Sequence, residues 1–213
     1  VEKPMAISSN ECQQMIDACD RAGVTLGVAY YRRFYPMVLR IAQLLQQGVI
    51  GRPLSILATT GNPNRFPPND WRVDLSRGGG GPLMDIGSHR LDLFRMLFGS
   101  ITGVQSNCIA SPDYEAEQVA TLLMEFERGG QGVLQCYFGT ANTPDRLEII
   151  GTEGRLLTED LNGPELLIAK GSETTREMHP PHENFHAPLI ADFSEAIEQN
   201  CSPAIGGLEA MAT

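Results

Sequence analysis

Gln118–Phe138 reads QVATLLMEFERGGQGVLQCYF. Two strand-like runs, Gln118–Phe126 and Gly132–Phe138, flank Arg128-Gly129-Gly130. Glycine reaches the positive φ that tight turns require, so the runs read as neighbouring antiparallel strands. The same texture extends in both directions. Val104–Ala110 precedes, and Arg146–Ile150, Arg155–Thr158 and Glu165–Ala169 follow, divided by Gly151-Thr152-Glu153-Gly154 and Asn162-Gly163-Pro164. Short, closely spaced strands joined by tight turns predict a mostly antiparallel sheet.

Towards the N-terminus the period changes. Ser8-Ser9-Asn10-Glu11 has the S-x-x-E form of a capping box, and Cys12, Met15, Ile16 and Cys19 then recur at helical spacing until Gly23. Val24–Tyr30 reads as a strand, making this pair the tail of a βαβ unit. Pro36 starts a second helix, with Ile41, Leu44 and Leu45 inward and Gly48 as its stop. Pro53–Gly61 reads as a strand. Asn62–Arg77, which holds the only tryptophan, Trp71, reads as a long loop of the kind that carries function.

Gly78–Gly99, GGGGPLMDIGSHRLDLFRMLFG, opens a helix that carries Asp85 and His89. Residues four apart share a helical face. An imidazole titrating near neutrality beside a carboxylate is suited to general acid–base chemistry. Asn184–Gln199 reads as an amphipathic helix, and Gly206–Thr213 begins another. The expected class is α+β, a mostly antiparallel sheet with helices on one face, preceded by the tail of an α/β domain. The division falls at residues 1–34 and 35–213. Val1 stands about where the strand before the first helix would end, without an initiator Met, so the chain reads as cut there and within its last helix.

A net charge of −10 argues against nucleic-acid or anionic-membrane partners, which need clustered Lys and Arg. No apolar run approaches the roughly 18–20 residues of a membrane span. Five scattered cysteines without a C-x-x-C read as reduced thiols of a cytoplasmic protein. His179, His182 and His186 are loosely spaced around Pro180-Pro181, which fits a loop rather than a metal site, so no metal is expected.

Taken together, Glu2-Lys3-Pro4, Arg32-Arg33-Phe34-x-Pro36, Gly48-x-Ile50-Gly51, Trp71-Arg72, Gly79-Gly80-Gly81 and Asp85-x-Gly87-x-His89 resemble the Gfo/Idh/MocA family of NAD(P)-dependent oxidoreductases. The resemblance runs over essentially the whole chain. It implies a Rossmann domain for the dinucleotide and a domain with a large open sheet that walls the substrate site and forms a homo-oligomer interface. By resemblance Lys3 matches the catalytic lysine, and Asp85 and His89 match the substrate-facing acid–base pair. Glu2, Lys3, Pro4, Trp71 and Arg72 match the nicotinamide end of the cofactor site, and the Lys3-Pro4 bond is often cis in the family.

The implied reaction moves a hydride between a nicotinamide and a sugar, polyol or related cyclic alcohol. His89 would take the hydroxyl proton, Asp85 would fix the tautomer of His89 or hold a neighbouring hydroxyl, and Lys3 would stabilise the developing alkoxide. The G-x-G-x-x-G fingerprint is not in the sequence. Gly78–Gly81 is no substitute, since it follows a loop and has Leu83 and Met84 where a third glycine would fall. The resemblance places the fingerprint before Val1, so the isolated chain is expected to bind NAD or NADP weakly and to be inactive alone. The residue that distinguishes the two cofactors lies in the same missing part. Two rival readings are an NAD-dependent glycoside hydrolase of the same family and a non-catalytic binding or dimerisation module.

Overall fold

The computed structural model describes residues 1–213. Helix α1 spans Ser9–Ala22, with Ser8 Oγ accepting from the Glu11 N–H and the Glu11 carboxylate accepting from the Ile7 N–H. Gly23 ends it with φ 65°, the left-handed cap that glycine adopts without strain. Helix α2, Pro36–Gln46, buries Met37, Val38, Ile41 and Leu44. Strand β1, Pro53–Asn62, follows. The expected loop contains a 3₁₀ turn at Trp71–Val73 and a short helix α3 at Leu75–Gly78. The glycine run then leads into a π turn at Leu83–Gly87, which continues as α4 over Ser88–Phe98.

Seven more strands follow: β2 Ile101–Ala110, β3 Glu117–Phe126, β4 Gln131–Phe138, β5 Asp145–Gly151, β6 Gly154–Thr158, β7 Glu165–Lys170 and β8 Glu173–Met178. They form one eight-stranded sheet in the order β2-β3-β4-β1-β5-β6-β7-β8. Every neighbouring pair is antiparallel except β1 with β4, which run parallel from Ser55 opposite Gln131 to Asn62 opposite Phe138. A parallel pair needs a crossover, and here the chain from α3 to β3 supplies it. Helices α5, Ala187–Glu198, and α6, Gly207–Met211, close the chain.

Alternation along the strands decides which face is buried. Ile56, Ala58, Leu122, Met124, Leu134, Leu147 and Ile149 point to one side, where Ile41 and Leu44 of α2 and Leu93, Phe94 and Phe98 of α4 cover them. The other face carries Leu57, Leu123 and Val133 in register across β1, β3 and β4. A second, smaller core gathers Met5, Cys12, Ile16, Val28 and Tyr30 with Ile205 and Ala210, so the C-terminal residues pack on the N-terminal segment.

The structure corrects the sequence reading in two places. Val24–Tyr30 is not a strand: it makes one isolated bridge, Gly27 to Gly206, and single bonds from Val28 N–H to Ile205 O, from Ala29 N–H to Val1 O and from the Val1 ammonium to Gly27 O. A ladder needs successive paired residues, and the flanking chain offers only these isolated contacts. Strand β8 was not anticipated, because Glu173-Thr174-Thr175-Arg176-Glu177-Met178 lies at the sheet edge and has no buried face to impose alternation.

Candidate active site

Lys3 and Asp85, far apart in sequence, are joined in the structure. The Lys3 ammonium donates to the Asp85 carboxylate Oδ1 at 2.9 Å and to the Asp85 backbone carbonyl at 2.5 Å. The Lys3-Pro4 bond is cis. Asp85 sits in the π turn, a wide helical turn that recurs at functional sites. Gly87 lets this turn lie on β4, since a Cβ there would stand 2.8 Å from the Cys136 sulfur.

The turn is anchored from the neighbouring strand. The two Glu117 carboxylate oxygens accept from the Gly81 N–H at 2.9 Å and the Leu83 N–H at 3.0 Å. A Cβ on Gly81 would run into the Glu117 carbonyl oxygen, so glycine is needed for this approach. The anchor also disposes of the glycine run as a phosphate cradle. Gly78 N–H is given to Asp74 O, Gly79 N–H to Leu75 O and Gly81 N–H to Glu117. These amides are used, and the carboxylate among them would repel a phosphate.

His89 follows on α4 and is only 5% exposed. Tyr30 and Tyr31 meet its ring edge-on at 5.9 and 5.1 Å between centroids, and His186 stacks on the far side of Tyr31 at 4.4 Å. No hydrogen bond joins His89 to Asp85, whose Oδ1 is turned to Lys3, and His89 Nδ1 is enclosed without a partner. Burial holds the imidazole well below its ordinary pKa of 6.5, and the nearby charges of Arg32, Lys3 and Arg90 act the same way. His89 is therefore neutral at physiological pH, the state in which it can accept a proton. Burial also pushes the Tyr30 phenol upward, so the ring beside it carries no charge.

A cavity of about 340 Å³ adjoins His89, lined by Arg32, Thr60, Arg90, Asp145 and Asn162 among others. Arg90 pairs with Asp145, and Asn162 Nδ2 donates to the same carboxylate at 2.7 Å. Arg32 donates to Asn162 Oδ1 at 2.8 Å. These residues were not singled out from the sequence, apart from Arg32. Arg90 did leave a signal. It falls on the stripe of Leu93, Phe94 and Leu97, a buried position where a charge is unusual.

Trp71 and Arg72 lie side by side in the 3₁₀ turn before α3. Trp71 is 44% exposed, and the Arg72 guanidinium covers its ring at 4.6 Å. Gly78 packs under the Trp71 carbonyl and Gly79 against Ile7. An exposed indole, a guanidinium and a lysine suit the flat, polar end of a nicotinamide nucleotide. Glu2 lines a cavity of about 430 Å³ with Gly27–Ala29, His186 and residues of α5. His179 pairs with Glu177 at 2.8 Å and His186 with Tyr31, and no group of His, Cys, Asp or Glu is arranged to hold a metal ion.

An open, eight-stranded, mostly antiparallel sheet, helices on one face, and a lysine–aspartate pair brought near a buried histidine over its central strands define the class of domain. Residues 38–157 match the family model described as the GFO/IDH/MocA C-terminal domain, and the chain belongs to that family. Among curated relatives, the uncharacterized oxidoreductase YrbE of Bacillus subtilis is 32% identical over 93% of this chain and 60% of its own length. D-xylose 1-dehydrogenase (NADP(+)) 2 of Haloferax volcanii is 26% identical over 99% of this chain and 66% of its own. The crystal structure of aldose-aldose oxidoreductase from Caulobacter crescentus, complexed with glycerol, superposes with a TM-score of 0.90 at 24% identity, covering 99% of this chain and 65% of that one. The chain thus spans less than two thirds of the length of such relatives.

Proposed function

We propose that the chain is the substrate-side part of an NAD(P)-dependent oxidoreductase acting on a hydroxyl of a sugar, polyol or related cyclic alcohol. The observation that carries this reading is the neutral, buried His89 beside the Lys3–Asp85 pair, at the mouth of a polar cavity. The name of the Haloferax volcanii relative, a sugar dehydrogenase using NADP(+), supports it.

Bound nicotinamide would supply the hydride acceptor, with Glu2, Lys3, Pro4, Trp71 and Arg72 as the residues that would hold its reactive end. Oxidation of a carbinol removes a hydride from carbon and a proton from oxygen. His89 takes that proton, its burial ensuring that the free imidazole is unprotonated beforehand. The Lys3 ammonium, held by Asp85, faces the oxygen and stabilises the charge that develops on it. Asp85 acts on Lys3 rather than on the tautomer of His89. The division of the chain at residue 34 and its cytoplasmic setting belong to the same proposal.

The reading is tested in the full-length protein by Lys3→Met and Asp85→Asn. Each is expected to slow hydride transfer to NAD(P) by roughly 10²–10⁴-fold, as the loss of a group acting on the moving proton and charge does. Unchanged rates in both would overturn the roles assigned to the pair.

A further inference from the structure

The π turn that carries Asp85 is held at both ends. At its far end Gly87 lies against Cys136 of β4. At its near end Gly81 and Leu83 flank Pro82, which has no amide hydrogen. The first residues of a helical run leave N–H groups without partners inside it. Only two N–H groups lie on these three residues, and one carboxylate takes both: Glu117 Oε2 accepts from Gly81 and Oε1 from Leu83. Bonds to a charged acceptor are stronger than neutral ones, and a carboxylate also suits the positive end of a helix.

Strand β3 is shaped to put that carboxylate there. Its buried residues are Ala120, Leu122, Met124 and Phe126, so alternation alone would send Glu117 to the open face with Thr121 and Leu123. Between the pairs Ile109–Val119 and Ala110–Glu117, however, β3 has one residue more than β2. The extra residue, Gln118, makes a bulge, a device that re-aims a side chain. Glu117 thereby reaches the helix side of the sheet, where Leu83 packs on the main core.

A short chain of bonds couples this anchor to the reacting groups. Gly81 gives its N–H to Glu117, and its carbonyl accepts from the Asp85 N–H at 3.0 Å. Asp85 in turn holds the Lys3 ammonium by its carboxylate and its own carbonyl.

We propose that Glu117 is a positioning residue for hydroxyl oxidation: through Gly81 it sets where Asp85 holds the Lys3 ammonium. This inference rests on the hydroxyl-oxidising reading and adds a residue to its machinery. Without the anchor the turn relaxes, and a displacement of about 1 Å at a reacting group can slow a reaction roughly 10²-fold.

Steady-state oxidation by the full-length protein tests it, with NAD(P) and with D-glucose, D-xylose, D-sorbitol and myo-inositol as probes. Rates are expressed per folded molecule, measured by circular dichroism. Glu117→Ala is expected to lower kcat roughly 10- to 100-fold while KM for the probe moves by no more than about threefold. Glu117→Gln keeps one acceptor for the two amides and should recover part of the loss. It also serves alone if the alanine variant does not fold. A double-mutant cycle reads whether the effect runs through Asp85: on top of Asp85→Asn, Glu117→Ala should slow the reaction less than about twofold.

Unchanged kcat per folded molecule in both Glu117 variants would overturn the role, as would a loss confined to KM. The full loss repeated on top of Asp85→Asn would overturn it too, since Glu117 would then act elsewhere. Lys3→Met and Asp85→Asn separate this failure from failure of the wider reading. If they slow hydride transfer and the Glu117 variants do not, only the positioning role falls. If they leave it unchanged, or the parent protein oxidises none of the probes, both fall together.

Discussion

His89 owes its properties to neighbours contributed by distant segments, and this has a measurable consequence for stability. Its pKa in the folded chain lies well below 6.5, chiefly through burial, with Arg32, Lys3 and Arg90 adding to the effect. As pH falls through about 6.5 the unfolded chain takes up a proton on this residue while the folded chain does not. The unfolded state then binds more protons, so stability falls with pH in that window. Thermal unfolding is expected to show a lower Tm at pH 5.5 than at pH 7.5, with a smaller drop in His89→Gln. An identical drop in the variant would assign the effect to other groups. At this scale the sequence was informative about identity and silent about environment. Asp85 and His89 were legible from their spacing, whereas the turn of Asp85 towards Lys3 depends on a π turn that no residue pattern encodes. The Glu117 anchor was equally hidden, because it joins the start of β3 to a turn distant in sequence.

Between elements, one buried ion cluster ties the chain's two cores together. Arg33, in the 3₁₀ turn Tyr31–Phe34, donates to both carboxylate oxygens of Asp92 on α4 at 2.8–2.9 Å and to Glu209 on α6 at 2.7 Å. Arg95 adds a bond to the Glu209 carbonyl at 2.8 Å. Asp92 is fully buried, so removing it takes away the bidentate partner of Arg33 and leaves only the more exposed Glu209. Asp92→Ala is expected to lower unfolding free energy by about 3–5 kcal/mol in urea titrations, the range for breaking a buried pair from one side. A loss below about 1 kcal/mol would mean that the site opens to water instead. Elements with a buried face were readable from the sequence. β3, β4 and β7 alternate because one face is buried, β5 and β6 read as apolar runs, and α1 shows its capping box and its glycine stop. β8 and the segment Val24–Tyr30 were misread for opposite reasons. The first pairs without burying a face, and the second is apolar without acquiring a ladder.

Over the whole molecule the sheet leaves one side without helices. Leu123 is 42% and Ile109 56% exposed on that side, with Leu57 and Val133 beside Leu123. An open apolar sheet face of this kind suits association with a second copy, as proposed from the family resemblance. Leu123→Glu is expected to reduce the mass measured by light scattering to that of a monomer. An unchanged multimer would place the interface elsewhere, and a monomeric parent protein would remove it. No helix is long and apolar enough to cross a membrane. The proposed role of His89 is to accept the hydroxyl proton during oxidation. Its most direct test is the single-turnover rate of hydride transfer in the full-length protein carrying His89→Ala. The expected rate is roughly 10²–10⁴-fold slower, with substrate affinity changed only a few-fold. A rate equal to that of the parent protein would contradict it.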